Sequence, residues 1–168
     1  MGDFLLRQLM TAVALFACAA TASAAAPDYR TIKMEVTINK PAAEVWSKVG
    51  GYCDISKWLG LDCSIVSGDG GVGTVRSLAG GRVTEIMVAK TDLAYGYTQP
   101  VKEGTFYNLY HGFMEAVPVS KKTSKIVYTL MWDVSDKADE AAKQADLTQR
   151  RTRFEAALNK MKELAEQK

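Results

Sequence analysis

With 168 residues, 48% of them hydrophobic and 24% charged, the chain has the size and composition of one soluble globular domain. A formal net charge of +2, with no lysine- or arginine-rich stripe, argues against a nucleic-acid partner. No phosphate loop, HExxH, nucleophile elbow or dinucleotide fingerprint occurs, so no catalytic residue is assigned and no cofactor is expected.

The first residues differ in kind from the rest. Met1 to Arg7 is a short head with one cation, Leu9 to Ala20 is apolar, and Thr21 to Pro27 is rich in small side chains. This pattern predicts a secretory signal peptide over residues 1–26, cut after Ala24 or Ala26, and a mature domain over residues 27–168. The apolar run falls short of the ~20 residues that a membrane-spanning helix needs, so no stable span is expected. Leu15-Phe16-Ala17-Cys18 resembles a lipobox, and the alternative is a lipoprotein anchored through Cys18. Both readings put the mature domain outside the cytoplasm, periplasmic or secreted. In an oxidising compartment Cys53 and Cys63 have one possible pairing; they are either a disulfide or two buried thiols that never meet. Together with the lone His111 they show no recognised ligand spacing, so no metal site is expected.

Arg30 to Ile38 alternates apolar and polar residues and reads as a half-buried strand. Asn39-Lys40-Pro41 breaks it, and Ala42 to Val49 follows as a helix with Ala42, Val45, Trp46 and Val49 on one face, stopped by Gly50-Gly51. Asp54 to Leu59 predicts a second short helix capped by Asp54. From Cys63 to Asp133 the chain reads as antiparallel strands: Cys63 to Val66, Val72 to Leu78, Arg82 to Lys90, Leu93 to Thr98, Thr105 to Val117 and Lys125 to Val134. Turn residues separate them, at Ser67 to Gly71, Gly80-Gly81, Thr91-Asp92, Gln99 to Gly104 and Ser120 to Ser124. Asp139 to Glu166 is a long amphipathic helix, with Leu147, Arg151, Phe154, Leu158, Met161 and Ala165 at three- and four-residue steps. At 1.5 Å per residue it reaches ~40 Å, enough to cross a whole sheet.

The order implies an α+β fold: a curved antiparallel sheet of about seven strands wrapped around the C-terminal helix, with two short helices after the first strand. Where helix and sheet do not meet, a pocket remains.

Pro41-Ala42-Ala43-Glu44-Val45-Trp46, Gly50 to Trp58 and Gly71-Val72-Gly73-Thr74-Val75-Arg76 resemble the START/Bet v 1-like (SRPBCC) superfamily. The branch is the bacterial polyketide cyclase/dehydrase-like one, which is similar to plant abscisic acid receptors. Val83-Thr84-Glu85-Ile86 and Asn108 fit the same pattern, and the resemblance runs from Thr31 to Glu166. It implies a helix-grip fold with a cavity between sheet and last helix. It also implies two entrance loops, Ala79-Gly80-Gly81 and Gln99 to Thr105, the latter with Lys102 and Gly104. The glycines of the first suit a mobile flap or a plain hairpin turn. Two positions depart from the pattern. Leu61 stands where the hormone receptors carry a carboxylate-binding lysine, and Leu59-Gly60 stand where bacterial relatives often have His-Pro.

The resemblance places Glu85 inward, to orient a polar ligand end. Alternation leaves this open, because Val83, Met87 and Ala89 share its face while Ile86 and Val88 are apolar on the other. Arg151, within the apolar stripe, is either its partner or a rim residue. His111, between Leu109 and Phe113 on one strand face, is read as a cavity-wall residue or a general base. Tyr95, Tyr97, Leu109, Phe113, Met131, Phe154, Leu158 and Met161 are the remaining candidates for the pocket wall, against ordinary core packing. Trp46 and Trp58 are expected to pack the short helices.

Three functions follow as expectations. The first is an exported binder or carrier for a small hydrophobic or amphipathic ligand. The second is an enzyme of cyclase or dehydratase type with Glu85 and His111 as an acid/base pair, which requires both side chains on one face of the sheet. The third is an accessory protein that docks on a periplasmic partner, of which the sequence names none.

Overall fold

The computed structural model describes residues 26–167; residues 1–25 of the expected signal peptide, Cys18 among them, lie outside the described residues. Ten elements follow one another: β1 (Tyr29–Ile38), α1 (Ala42–Val49), α2 (Ile55–Trp58), β2 (Cys63–Ser67), β3 (Val75–Leu78), β4 (Val83–Thr91), β5 (Ala94–Thr98), β6 (His111–Ser120), β7 (Thr123–Asp133) and α3 (Glu140–Glu166). The strands form one antiparallel sheet in the order β1-β7-β6-β5-β4-β3-β2. β1 returns from the start of the chain to pair with β7 along its whole length, Tyr29 opposite Asp133 and Ile38 opposite Ser124.

Period-two patterning sets which face is inside. On β1, Ile32, Met34 and Ile38 are buried and Thr31, Lys33, Glu35 and Thr37 are exposed. On β7 the inner row is Ile126, Tyr128, Leu130 and Trp132. α1 lays Ala42, Val45 and Val49 on the core. Glu44 in its first turn and Lys48 in its last suit the helix dipole. Lys48 also donates to the carbonyls of Ala165 and Gln167, which ties α1 to the end of α3. α3 starts at a cap, the Asp139 carboxylate accepting from the Ala142 N–H at 2.8 Å.

Four sequence expectations change. The Asp54 side chain does not cap α2; its carboxylate accepts from the Gly51 N–H at 2.8 Å instead. The strand after the glycine cluster begins at Val75, and Val72 and Gly73 lie in the turn before it. Residues 105–110 are not strand, because Leu109 takes a positive φ of 47° and kinks the chain just before β6. The apolar stripe of α3 is confined to its second half, where Phe154, Ala157, Leu158, Met161 and Ala165 are buried. Towards the sheet the first half carries Asp146, Gln149 and Arg150, with Leu147 only partly buried. One end of the molecule is therefore packed solid and the other is left open. Among the described residues no helix is long and apolar enough to cross a membrane.

Candidate functional site

The open end holds a cavity of about 500 Å³ between α3 and the concave face of the sheet. One wall is apolar. It is built by Ile55 of α2, Leu59 and Leu61 on the following link, Leu78 at the end of β3, and Phe154 of α3. A disulfide joins Cys53 and Cys63 and brackets this stretch, so Ile55, Leu59 and Leu61 sit on one covalently closed loop. Asp62 holds the β3–β4 turn against that loop, its carbonyl accepting from the Ala79 N–H and its carboxylate from the Gly80 N–H at 2.7 Å. Ala79, Gly80 and Gly81 all have positive φ.

The floor is a buried ion pair. Arg76 and Glu85 face each other across β3 and β4, with 0% and 4% of their surfaces exposed. Arg76 donates from Nε and Nη2 to Glu85 Oε2 at 2.8 and 2.6 Å, and from Nη1 to the Tyr52 carbonyl. Its guanidinium lies 4.1 Å from the Tyr52 ring centre and 5.0 Å from that of Tyr97. Glu85 Oε1 accepts from Gln99 Nε2 at 3.3 Å. Such bonding is what a buried charge pair requires if its desolvation is to be offset. Of the two, Glu85 lines the cavity and Arg76 is walled in behind it.

Aromatic rings close the inner end. Tyr97 crosses Gly112, its partner on β6, to reach β7, where its hydroxyl lies 2.8 Å from that of Tyr128. A Cβ on Gly112 would strike the Tyr97 ring, so only glycine admits this crossing. Tyr52 and Tyr95 stack edge-on behind it, with buried hydroxyls that have no hydrogen-bond partner among the described residues. Burial pushes the phenols of Tyr52, Tyr95, Tyr97 and Tyr128 above their ordinary value, and that of Tyr110 to about 12. All are neutral hydrogen-bonding groups at physiological pH.

At the mouth, Asp146 accepts from Arg150 Nε at 3.0 Å and from Trp132 Nε1 at 2.8 Å. The Arg150 guanidinium sits 4.6 Å over the Trp132 ring. Arg82 and Arg153 also line the cavity and are exposed. A second cavity of about 390 Å³ lies between the β3–β4 turn and the Gln99–Asn108 loop and shares Arg82, Val83, Gln99 and Asn108 with the first.

Among the residues singled out from the sequence, Glu85, Tyr97, Phe154 and Ala79 line the first cavity, and Gly81 and Lys102 the second. Tyr95, Leu158 and Met161 point inward but are core, beyond the aromatic closure. Arg151 is not Glu85's partner: it is exposed and pairs with Glu155 at 3.3 Å, because the helix turns it away from the sheet. His111, Phe113 and Met131 face outward. The inner row of β6 is Gly112, Met114 and Ala116, and His111 is registered with Met131 on the convex side. Leu109, at the kink, lies outside the first cavity, and its carbonyl meets His111 Nδ1 at 2.8 Å. Glu85 and His111 thus stand on opposite faces and do not form an acid/base pair. Gly80 and Gly104 line neither of these two cavities.

Arg76, Tyr110, Asp146 and Arg150 were not recognised as site residues, and Gln99 was read only as part of an entrance loop. Two signals were available. Arg76 is two residues before Leu78 on one strand face, and Arg150 is four before Phe154 on one helix face.

The sequence model of the family described as polyketide cyclase/dehydrase and lipid transport matches residues 29–166. No curated protein matches the chain. Among solved structures, a Thermobifida fusca protein is 22% identical with a TM-score of 0.66, covering 80% of this chain and 92% of its own. The ZhuI aromatase/cyclase from Streptomyces sp. R1128 is 19% identical with a TM-score of 0.65, covering 83% and 94%. Ara h 8.0201 is 20% identical with a TM-score of 0.56, covering 80% and 98%. At these identities the likeness is one of fold, a curved sheet gripping a C-terminal helix.

Proposed function

The chain belongs to the polyketide cyclase/dehydrase and lipid transport family, and from that premise we propose that it is a binding or carrier protein for a small hydrophobic or amphipathic molecule. The observation that carries this reading is the cavity between α3 and the sheet, with one apolar wall and a floor whose carboxylate is already matched by Arg76. Burying about 200 Å² of apolar ligand surface there contributes roughly 5 kcal/mol before the costs of association. Gln99, Asn108 and Tyr110 supply a few polar groups that fix orientation, as ligand sites commonly do.

The proposal includes work outside the cytoplasm. It is supported by the grammar of residues 1–26 and by the Cys53–Cys63 disulfide, a bond that reducing compartments disfavour.

The test is native mass spectrometry of the protein isolated from its own host, with titration by the uncharged fluorophore phenylnaphthylamine. A co-purifying small molecule, or saturable fluorophore binding weakened by Leu61→Trp at the half-exposed rim, supports the reading. A folded protein that carries nothing and binds nothing refutes it.

A further inference from the structure

We propose that the guest is an amphiphile with an anionic head, held head-outward at the mouth by Arg82 and Arg153, its apolar body against α2 and Phe154. This rests on the cleft being a binding site, and adds the class of molecule it takes.

The argument is a census of charge. Five ionisable acidic or basic side chains other than tyrosines line the first cavity: Arg82, Glu85, Asp146, Arg150 and Arg153. Glu85 is held by Arg76, and Asp146 by Arg150 and the Trp132 indole. Both carboxylates are therefore committed to cations within hydrogen-bond distance. Arg82 and Arg153 form no ion pair among the described residues. Arg82 spends its Nε on the Ala79 carbonyl at 2.9 Å, which leaves its two terminal nitrogens as donors. Arg82 also stands where the two cavities join, and the second contributes Lys102, another cation outside the ion pairs.

The remaining fields at the mouth are thus of one sign. A cationic head is repelled there. A carboxylate or sulfonate finds guanidinium forks on opposite sides, one from the β3–β4 turn and one from α3. Depth selects the same orientation. The inner wall offers Leu78, Phe154 and neutral phenols, with no cation accessible beyond Glu85, since Arg76 is fully enclosed. An acidic group pushed inward would meet the Glu85 carboxylate, so the acid stays at the rim and the apolar end goes in.

The experiment compares two probes that differ by one charged group, anilinonaphthalene sulfonate and phenylnaphthylamine, on the whole protein. At low ionic strength the sulfonate should bind roughly tenfold more tightly, a preference that shrinks with added salt. R82Q/R153Q should abolish the preference, bringing the sulfonate down to the affinity of phenylnaphthylamine in the same variant, while R82K/R153K retains most of it. K121Q/K122Q, in the turn between β6 and β7, controls for general surface charge and should change neither probe. Equal affinities in the native protein, or a preference that survives R82Q/R153Q, overturn the anionic head and leave the cavity reading standing, because phenylnaphthylamine still binds. If neither probe binds, both inferences fall. Should R82Q/R153Q lose both probes, the single R153Q variant decides, and an undiminished preference there overturns the proposal.

Discussion

Arg76 and Glu85 are the most heavily invested pair of side chains in the molecule. Removing one partner strands a charge with 0% or 4% of its surface exposed, and R76A or E85A should each cost about 3–5 kcal/mol in denaturant unfolding. The double replacement R76M/E85L should cost less than either single change, because it removes the desolvation burden along with the bond. Gly112 is the second sensitive position. G112A forces the Tyr97 ring off its crossing path and breaks the hydroxyl contact with Tyr128, for a loss of about 1–3 kcal/mol that chemical denaturation measures. These two sites also show why residue-level reading of the sequence went astray on β6. Leu109, His111 and Phe113 looked like an inward row because Gly112, between them, has no side chain to bury. The space belongs to Tyr97, fifteen positions earlier in the chain, and a parity rule cannot see a ring arriving from the neighbouring strand.

Among the elements, α2 is only four residues long and has no side-chain cap bond. It is held by Trp58, whose indole donates to the Val49 carbonyl, and by the bridge from Cys53 to Cys63. Replacing both cysteines by serine should cost about 2–3 kcal/mol for so short a loop. It should also weaken phenylnaphthylamine binding, since the bridged segment carries three apolar wall residues. At the start of α3, charges clasp that helix to the beginning of β1. The Asp28 carboxylate accepts from Arg30 and Lys143 at 2.8 Å each, and Arg30 reaches Glu140 at 3.0 Å. Bonds from Arg30 and then Lys143 hold the Asp28 carboxyl well below its ordinary value of 3.8, and bonds from Gln144 and then Arg30 lower Glu140. A carboxylate depressed in the folded state adds stability that is complete above its unfolded value and is lost as pH falls through the folded one. The clasp therefore holds at neutral pH and loosens below about pH 4. D28N should lower stability at neutral pH and flatten the acid limb, as read by thermal melts down to about pH 2. Element order, the two short helices, most strand positions and the long helix were legible, because each has its own period or its own breaker. The split character of α3 was not. The three- and four-residue steps run through Leu147 and Arg151, and periodicity does not report that the face towards the sheet carries Asp146, Gln149 and Arg150.

For the molecule as a whole, the seven-stranded sheet wrapped on one helix was foreseeable, since an antiparallel sheet and a single amphipathic helix have few ways to bury their apolar faces. What could not be read was where the hollow stops, which depends on rings contributed by β5, β7 and the α1–α2 link. Those rings make the cleft a cul-de-sac. A guest retreats along the path by which it arrived, and a rival cannot displace it from behind. Exchange should then be strictly first-order: in a stopped-flow chase, the rate at which a preloaded fluorophore departs should stay constant however much competitor is added. Acceleration with competitor concentration would reveal a back door past Tyr97.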